Sequence, residues 1–316
     1  MPAKTDAPLT CRHFGRCGGC SQLDVPIEHQ LQTKREHAAT LLAPHLGDVA
    51  VEVTMPPRTP RHDRISLLYP IQPSHERGLE LGIFRRGSHR IEPIEDCRIQ
   101  HKALTQLAVR AGERLRALKL PAYDETSGRG LLRAFRARVM PGTGELLLGL
   151  VVTTTTFSLR DRVAAELERA AEGLRDDQGR PVRTVGIVLN VNAKPGNALL
   201  GGETRAMRGD AWQHDQVGAL RFRVSFASFY QLHRHAEAIL FRPALAMLGD
   251  VRGSHIVDGY GGVGTFGVRL MRDGAASVTS IESSPSACAD ARINYQANGF
   301  AADVREQPFG AAPLPP

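Results

Sequence analysis

Aromatic residues are scarce in this chain: they make up 5% of 316 residues, and only one is a tryptophan. A protein that binds nucleic acid through a broad platform of stacked aromatic side chains is therefore disfavoured. Long apolar runs are missing too. No stretch approaches the roughly 20 apolar residues that a helix needs to cross a bilayer, so no membrane partner is expected. The opening residues, MPAKTDAPLT, have no apolar core and do not read as a secretory leader. Both absences point to the cytoplasm. No internal repeat is present. Cysteine is rare, with five in the chain, yet three of the five, Cys11, Cys17 and Cys20, lie in CRHFGRCGGC at residues 11–20. In a reducing compartment such a cluster more often holds a metal or does chemistry than forms disulfides.

What is present is basic. Lys and Arg outnumber Asp and Glu by 40 to 33, a formal charge of +7 carried mostly by arginine, which suits a polyanionic partner such as RNA. The length allows two domains. Residues 26–46 place Ile27, Leu31, Leu41 and Leu42 at helical spacing. Between 50 and 200, VEVTM, RISLLYP, LGIFRRG, LLRAFRARVM, ELLLGLVVTTTT and VGIVLNVN read as strands, interrupted by helices over 101–118 and 159–175. From about 225 the rhythm changes. SFYQLHRHAEAILFRPALAML reads as a helix, HIVDGYGGVGTFGVRLM as strand, glycine loop and helix, SVTSIE as a second strand, SPSACADARINYQANG as a second helix, and ADVREQ as a third strand. This alternation is the start of a doubly wound α/β unit. The tail PFGAAPLPP reads as disordered.

The glycine loop is the most informative local pattern. In IVDGYGGVGTFG a short strand runs into Asp258, followed by Gly259, Gly261, Gly262 and Gly264. Glycines serve where a backbone turns sharply and comes close to a ligand, and the next helix presents its free N–H groups at the same point. Glu282 follows at the end of the second strand, where an acid can accept hydrogen bonds from both hydroxyls of a ribose. Asp258 would crowd a pyrophosphate but suits a cofactor with a cationic or amine end, such as S-adenosylmethionine.

Taken together, these motifs resemble the RNA uracil-C5 methyltransferases, and within them the iron–sulfur branch that modifies 23S ribosomal RNA. CRHFGRCGGCSQLD resembles that family's opening, Cys-x5-Cys-Gly-Gly-Cys-x-x-Gln, and LGIFRRGSHRIEPIEDCRI its central segment with a fourth cysteine, Cys97. SFYQLH is similar to its Phe-Phe-Gln-Val-Asn motif, and DGYGGVGTFG to Asp-Leu-Tyr-Cys-Gly-Val-Gly-Thr-Phe-Gly. The resemblance implies an α/β protein in three parts. An N-terminal iron–sulfur arm spans 1–30, an α+β central RNA-facing domain 31–222, and an incomplete Rossmann-like class I methyltransferase domain 223–316. It implies S-adenosylmethionine bound by Gln231, Tyr260, Gly262 and Glu282, and a 4Fe–4S cluster ligated by Cys11, Cys17, Cys20 and Cys97. The Gly18-Gly19 pair would let the chain curl so that both flanking sulfurs face one centre. Zinc uses the same ligands. Bland readings stay open for Gln231 (a polar residue near a helix start), Tyr260 (core packing) and Glu282 (a solvated strand end).

Several positions depart from the pattern. His233 replaces an asparagine, Gly259 an apolar residue and Gly261 a cysteine; two extra glycines predict a looser loop and weaker cofactor affinity. RHDRISLLYP stands where an RNA-facing stretch is usual. The family's chemistry needs a cysteine thiolate to attack C6 of uracil and a base to remove the C5 proton. Its Ser-Cys-Asn-Pro and Asp-Pro-Pro-Arg motifs do not occur here. Cys288 lies on the helix after the second strand and reads as packing. The expectation is therefore a truncated copy with no catalytic residue of its own, either unstable by itself or completed by a second chain. The alternative is a non-catalytic RNA-binding protein that keeps an iron–sulfur or zinc site.

Overall fold

Aliphatic and β-branched runs between 66 and 209 build one seven-stranded sheet. The computed structural model describes residues 9–47, 50–53 and 61–311. The strands are β1 (Ser66–Ser74), β2 (Gly78–Phe84), β3 (Ile91–Pro93), β4 (Leu132–Val139), β5 (Glu145–Val152), β6 (Arg183–Val191) and β7 (Glu203–Gly209), in the order β3-β2-β1-β4-β5-β6-β7. All neighbours are antiparallel except β5 and β6, whose parallel pairing needs a crossover. Helix α3 (Arg160–Ala171) supplies it, and packs with α2 (Lys102–Ala117) against the sheet. Every residue of β5 is buried, which explains why ELLLGLVV reads as a continuous apolar run rather than an alternating one. A hairpin of β8 (Trp212–Val217) and β9 (Leu220–Ser225) packs against β5 and β6 and runs through the boundary expected at 222/223.

The second unit is smaller. Strands β10 (His255–Asp258), β11 (Ser277–Glu282) and β12 (Asp303–Glu306) are parallel in that order, joined by α5 (Thr265–Arg272) and α6 (Pro285–Ala297). ADVREQ is thus the third strand, and among the described residues β10 is an edge. One face of α6 meets β9 in an unusual way. The Asn298 side chain accepts from the Arg221 amide (3.1 Å) and donates to the Arg221 carbonyl (2.8 Å). Asn294 does the same with Arg223 (2.6 and 2.9 Å), and Asp290 accepts from the Ser225 amide (2.7 Å). Three polar side chains spaced four apart on a helix thus satisfy alternate residues along the outer edge of β9.

Other expectations need correction. SFYQLHRHAEA is not helical at its start. The helix begins near residue 236 with a π-helical turn over Glu237–Phe241 and continues as α4 (Arg242–Leu248). The reason is a competing partner: the Leu232 carbonyl accepts from the Ile65 amide (2.8 Å), and the Arg234 amide donates to the Asp63 carbonyl (2.8 Å). The wide turn precedes Pro243, which has no N–H to continue regular bonding. Helix α1 (Ile27–Leu46) forms as expected but buries none of its residues. Residues 51–53 of VEVTM are not a strand, and 54–55 lie outside the described residues, as do 1–8 and 312–316 at the two ends. Among the described residues, no helix is long and apolar enough to cross a membrane.

Candidate functional site

The glycine loop joins β10 to α5, and its glycines do different work. Gly262 and Gly264 have φ of +54° and +83°, so the turn needs them for backbone conformation. Gly259 and Gly261 are needed for space instead. A Cβ at Gly261 would fall 1.9 Å from Ser280 Oγ, and one at Gly259 would fall 2.6 Å from the Phe309 ring. The expected loosening of the loop is therefore not what these substitutions produce. Ser280 and Phe309 fill the room that larger side chains would need.

Glu282 ends β11 facing this loop. The Ser284 amide donates to Oε1 at 2.7 Å and the Gly262 amide to Oε2 at 3.1 Å. The Ser283 hydroxyl also lies 3.5 Å from Oε1, whereas Oε2 keeps a lone pair, so the acid is oriented before any ribose arrives. Asp258 sits at the loop's entry. Burial pushes its carboxyl up, the amides of Tyr260 and Gly267 partly offset this, and the nearby Glu282 adds to the rise. Its Oδ2 is buried with no hydrogen-bond partner, which leaves an acceptor for a cationic or amine group. Tyr260 is 82% exposed, so core packing does not account for it; its ring lies 5.3 Å from that of Phe309.

Tyr260, Gly262 and Glu282 thus share the loop's mouth, but Gln231 stands to one side. It lines a cavity of 280 Å³ with Ile65, Gly142, Asp215 and Arg269, and none of the other three lines it. In this cavity wall the Tyr230 hydroxyl donates to Asp215 at 2.9 Å, and buried Arg269 pairs with Glu237 at 2.7 Å. Cys288 is fully buried, its thiol donates to the Glu282 carbonyl at 3.3 Å, and burial pushes its pKa up. That is a packing residue's environment, not that of an activated nucleophile.

The cysteine arm docks on the β2–β3 hairpin. The Gly18 amide donates to the Phe84 carbonyl (2.9 Å), and the Arg86 amide to the Arg16 carbonyl (3.1 Å). A Cβ at Gly18 would fall 2.6 Å from that carbonyl oxygen, and neither Gly18 nor Gly19 has positive φ. The chain turns at residues 18 and 19, and at Gly18 the missing side chain also allows close approach to the hairpin. Glu92, only 3% exposed, anchors the dock by accepting from His13 (3.1 Å), Arg16 (2.9 Å) and Arg85 (3.1 Å). Arg86 donates to the Cys20 carbonyl at 2.9 Å. Arg85 and Arg86 thus both hold the arm.

Cys11, Cys17, Cys20 and Cys97 are free thiols that come close enough to influence one another's ionisation. Burial pushes Cys17 up and Cys20 to about 11, and the neighbouring thiols add to both shifts. Backbone amides donate to two of the sulfurs, Gly19 to Cys17 and Gln100 to Cys97, each at 3.3 Å. The Tyr69 hydroxyl, buried near Cys97 and Cys17, has no partner. Even so, among the described residues no group of three or more His, Cys, Asp or Glu side chains is arranged to hold a metal ion. The four thiols are neighbours rather than a formed coordination shell.

Sequence reasoning missed Asp290, Asn294 and Asn298, although their fourfold spacing was a readable signal. It also missed Phe309 and the Asp215–Tyr230 pair, which no local pattern announces.

No family model matches the chain. It is similar to an uncharacterized RNA methyltransferase of Halalkalibacterium halodurans, 29% identical over 303 residues that cover 95% of this chain and 63% of the relative. An uncharacterized RNA methyltransferase of Gloeobacter violaceus is 31% identical over 302 residues, covering 95% and 63%. The chain thus spans less than two thirds of the length of these relatives. Among solved structures, it matches the Pyrococcus abyssi tRNA (uracil-54, C5)-methyltransferase in complex with S-adenosyl-L-homocysteine. The TM-score is 0.71 at 22% identity, covering 92% of this chain and 64% of that one. This likeness is one of fold: a mixed α/β architecture with a large sheet.

Proposed function

We propose that these residues form the cofactor-binding and central parts of an RNA uracil-C5 methyltransferase that uses S-adenosylmethionine, with 23S ribosomal RNA as its target. The observation that carries the reading is the paired geometry of Asp258 and Glu282 on either side of one glycine loop. Glu282 presents an oriented acceptor for ribose hydroxyls, and Asp258 an unsatisfied acceptor for the cofactor's amine end. Tyr260 offers an exposed ring beside them. The cofactor would supply an electrophilic methyl group; the residues named here bind and orient it. Gln231 would approach from the adjoining cavity. The resemblance places the thiol nucleophile and the base in motifs not found among these residues, so the transfer step is assigned to no residue of this chain. A second chain could supply them.

The arm fits a 4Fe–4S cluster in its donor chemistry. Four thiols come close enough to influence one another, and two of the sulfurs already accept amide hydrogen bonds. Cys11, Cys17, Cys20 and Cys97 would hold it, in a structural role that pins the arm to the central sheet. Loading would draw the thiols into a tighter shell than they occupy here. A brown protein with iron and sulfide bound supports this; a colourless one with one zinc per chain rejects it.

Calorimetry with S-adenosylhomocysteine tests the main reading. The chain is expected to bind it, and Glu282→Ala to weaken binding by about tenfold or more, the worth of hydrogen bonds to a charged acceptor. Binding that ignores Glu282→Ala rejects the site.

A further inference from the structure

Three residues before Gln231, the Ser228 hydroxyl is completely buried and has two partners. It donates to Asp290 Oδ2 at 2.7 Å and lies 3.2 Å from the Ser286 hydroxyl. A hydroxyl has one proton to give, so Ser286 must be the donor in the second contact. Ser286 is itself 3.2 Å from Ser284 Oγ, and the Ser284 amide orients Glu282 at 2.7 Å. A continuous polar path therefore runs from the ribose acceptor to the segment that carries Gln231.

Asp290 is the fixed point of that path. It is 0% exposed and also accepts from the Ser225 amide (2.7 Å) and hydroxyl (2.8 Å). From the other side, buried Arg138 of β4 donates to the carbonyls of Ser225 (2.7 Å) and Ser228 (3.0 Å). Burial lowers the Arg138 pKa, but its four oxygen acceptors favour the charged form. Residues 225–228 are thus gripped between a carboxylate on the cofactor side and a guanidinium on the central sheet. This matters because beyond Ser225, the last residue of β9, the segment has no regular structure of its own to place it.

We infer that Asp290 is a positioning residue, which sets where Gln231 stands relative to Glu282 so that one bound cofactor meets both. The inference rests on the proposed cofactor site. A purely structural Asp290 would weaken binding whatever residue stood at 231, whereas a positioning one acts through Gln231 and loses its effect when that side chain is gone.

The test is a double-mutant cycle on the full 316-residue chain. S-adenosylhomocysteine affinity is measured for wild type, Asp290→Ala, Gln231→Ala and the double variant. Asp290→Ala should weaken binding about tenfold in the wild-type background and no more than about twofold when Gln231 is alanine. Asp290→Asn, which keeps an acceptor oxygen, should recover most of the loss. Equal losses in both backgrounds, or none in either, overturn the inference while leaving the cofactor site standing. A wild-type chain that binds no S-adenosylhomocysteine overturns the proposed function, and the inference with it. Should Asp290→Ala fail to fold, Ser228→Ala removes only one hydroxyl and enters the same cycle. Its smaller loss must likewise vanish without Gln231, and its persistence rejects the inference.

Discussion

Glu92, beneath the cysteine arm, and Asp258, beneath the glycine loop, are carboxylates pushed in opposite directions. Burial works against the charge of both. At Glu92 it is outweighed by hydrogen bonds from His13 and Arg16 and by the charges of Arg16 and Arg85, so the pKa falls. At Asp258 burial prevails over the amides of Tyr260 and Gly267, and the pKa rises. The arm's acid has already found its cations, whereas the loop's acid has not. One region is complete as a joint; the other is poised to accept a positive group.

The contrast breaks most severely at Glu92. Glu92→Ala leaves His13 buried without its partner and releases Arg16 and Arg85. Those two arginines are well exposed, which discounts their share. A loss of about 2 kcal/mol, confined to the arm, is expected. Hydrogen exchange at the amides of Cys17 and Gly18 should report it, with S-adenosylhomocysteine affinity unchanged. Glu92 stabilises docking fully above its unfolded pKa of about 4.3, and that contribution is lost as pH falls through the lower folded value.

Asp258→Asn should do the reverse, with a smaller effect. Folding stability holds or improves, because the fold disfavours this charge at neutral pH. Cofactor affinity drops about tenfold, or 1.4 kcal/mol. With the raised pKa, Asp258's stabilising contribution is complete below its unfolded value of about 3.9 and is lost as pH rises through the folded one. Affinity for an amine-bearing cofactor should climb over that same rise. Affinity that is flat across the acid range would show that Asp258 meets no cation. Tyr260→Ala is the mildest change: an 82% exposed ring should cost no more than about 0.5 kcal/mol of stability, so any loss of affinity reads as contact with the ligand.

Local pattern made much of this legible. Alternating strand, loop and helix after residue 250 gave the small parallel sheet, and the clustered cysteines marked the arm. LRFRVS alternates cleanly, with Leu220, Phe222 and Val224 buried, and could have announced β9. What pattern could not give was anything decided by a distant partner. SFYQLH has helical spacing, but residues 63–65, which lead into β1, claim its backbone. Gly259 and Gly261 looked like added freedom because Phe309 and Ser280, which occupy their space, are neighbours only after folding.

The polar face of α6 has a consequence for how the chain comes together. An edge strand exposes unpaired amides and carbonyls that can recruit another molecule. On β9 those groups are met by Asp290, Asn294 and Asn298, which lie 65 to 77 residues further along the chain. During synthesis the hairpin emerges long before its cover does, and the interval is one of exposure. The contact is also non-local, so its closure is slow compared with the hairpin's own turn. A nascent chain that stalls before residue 290 would therefore carry an open strand edge. Replacing both asparagines with leucine would keep the helix but make that exposure permanent, and soluble yield would then measure how well a helix stands in for a missing strand.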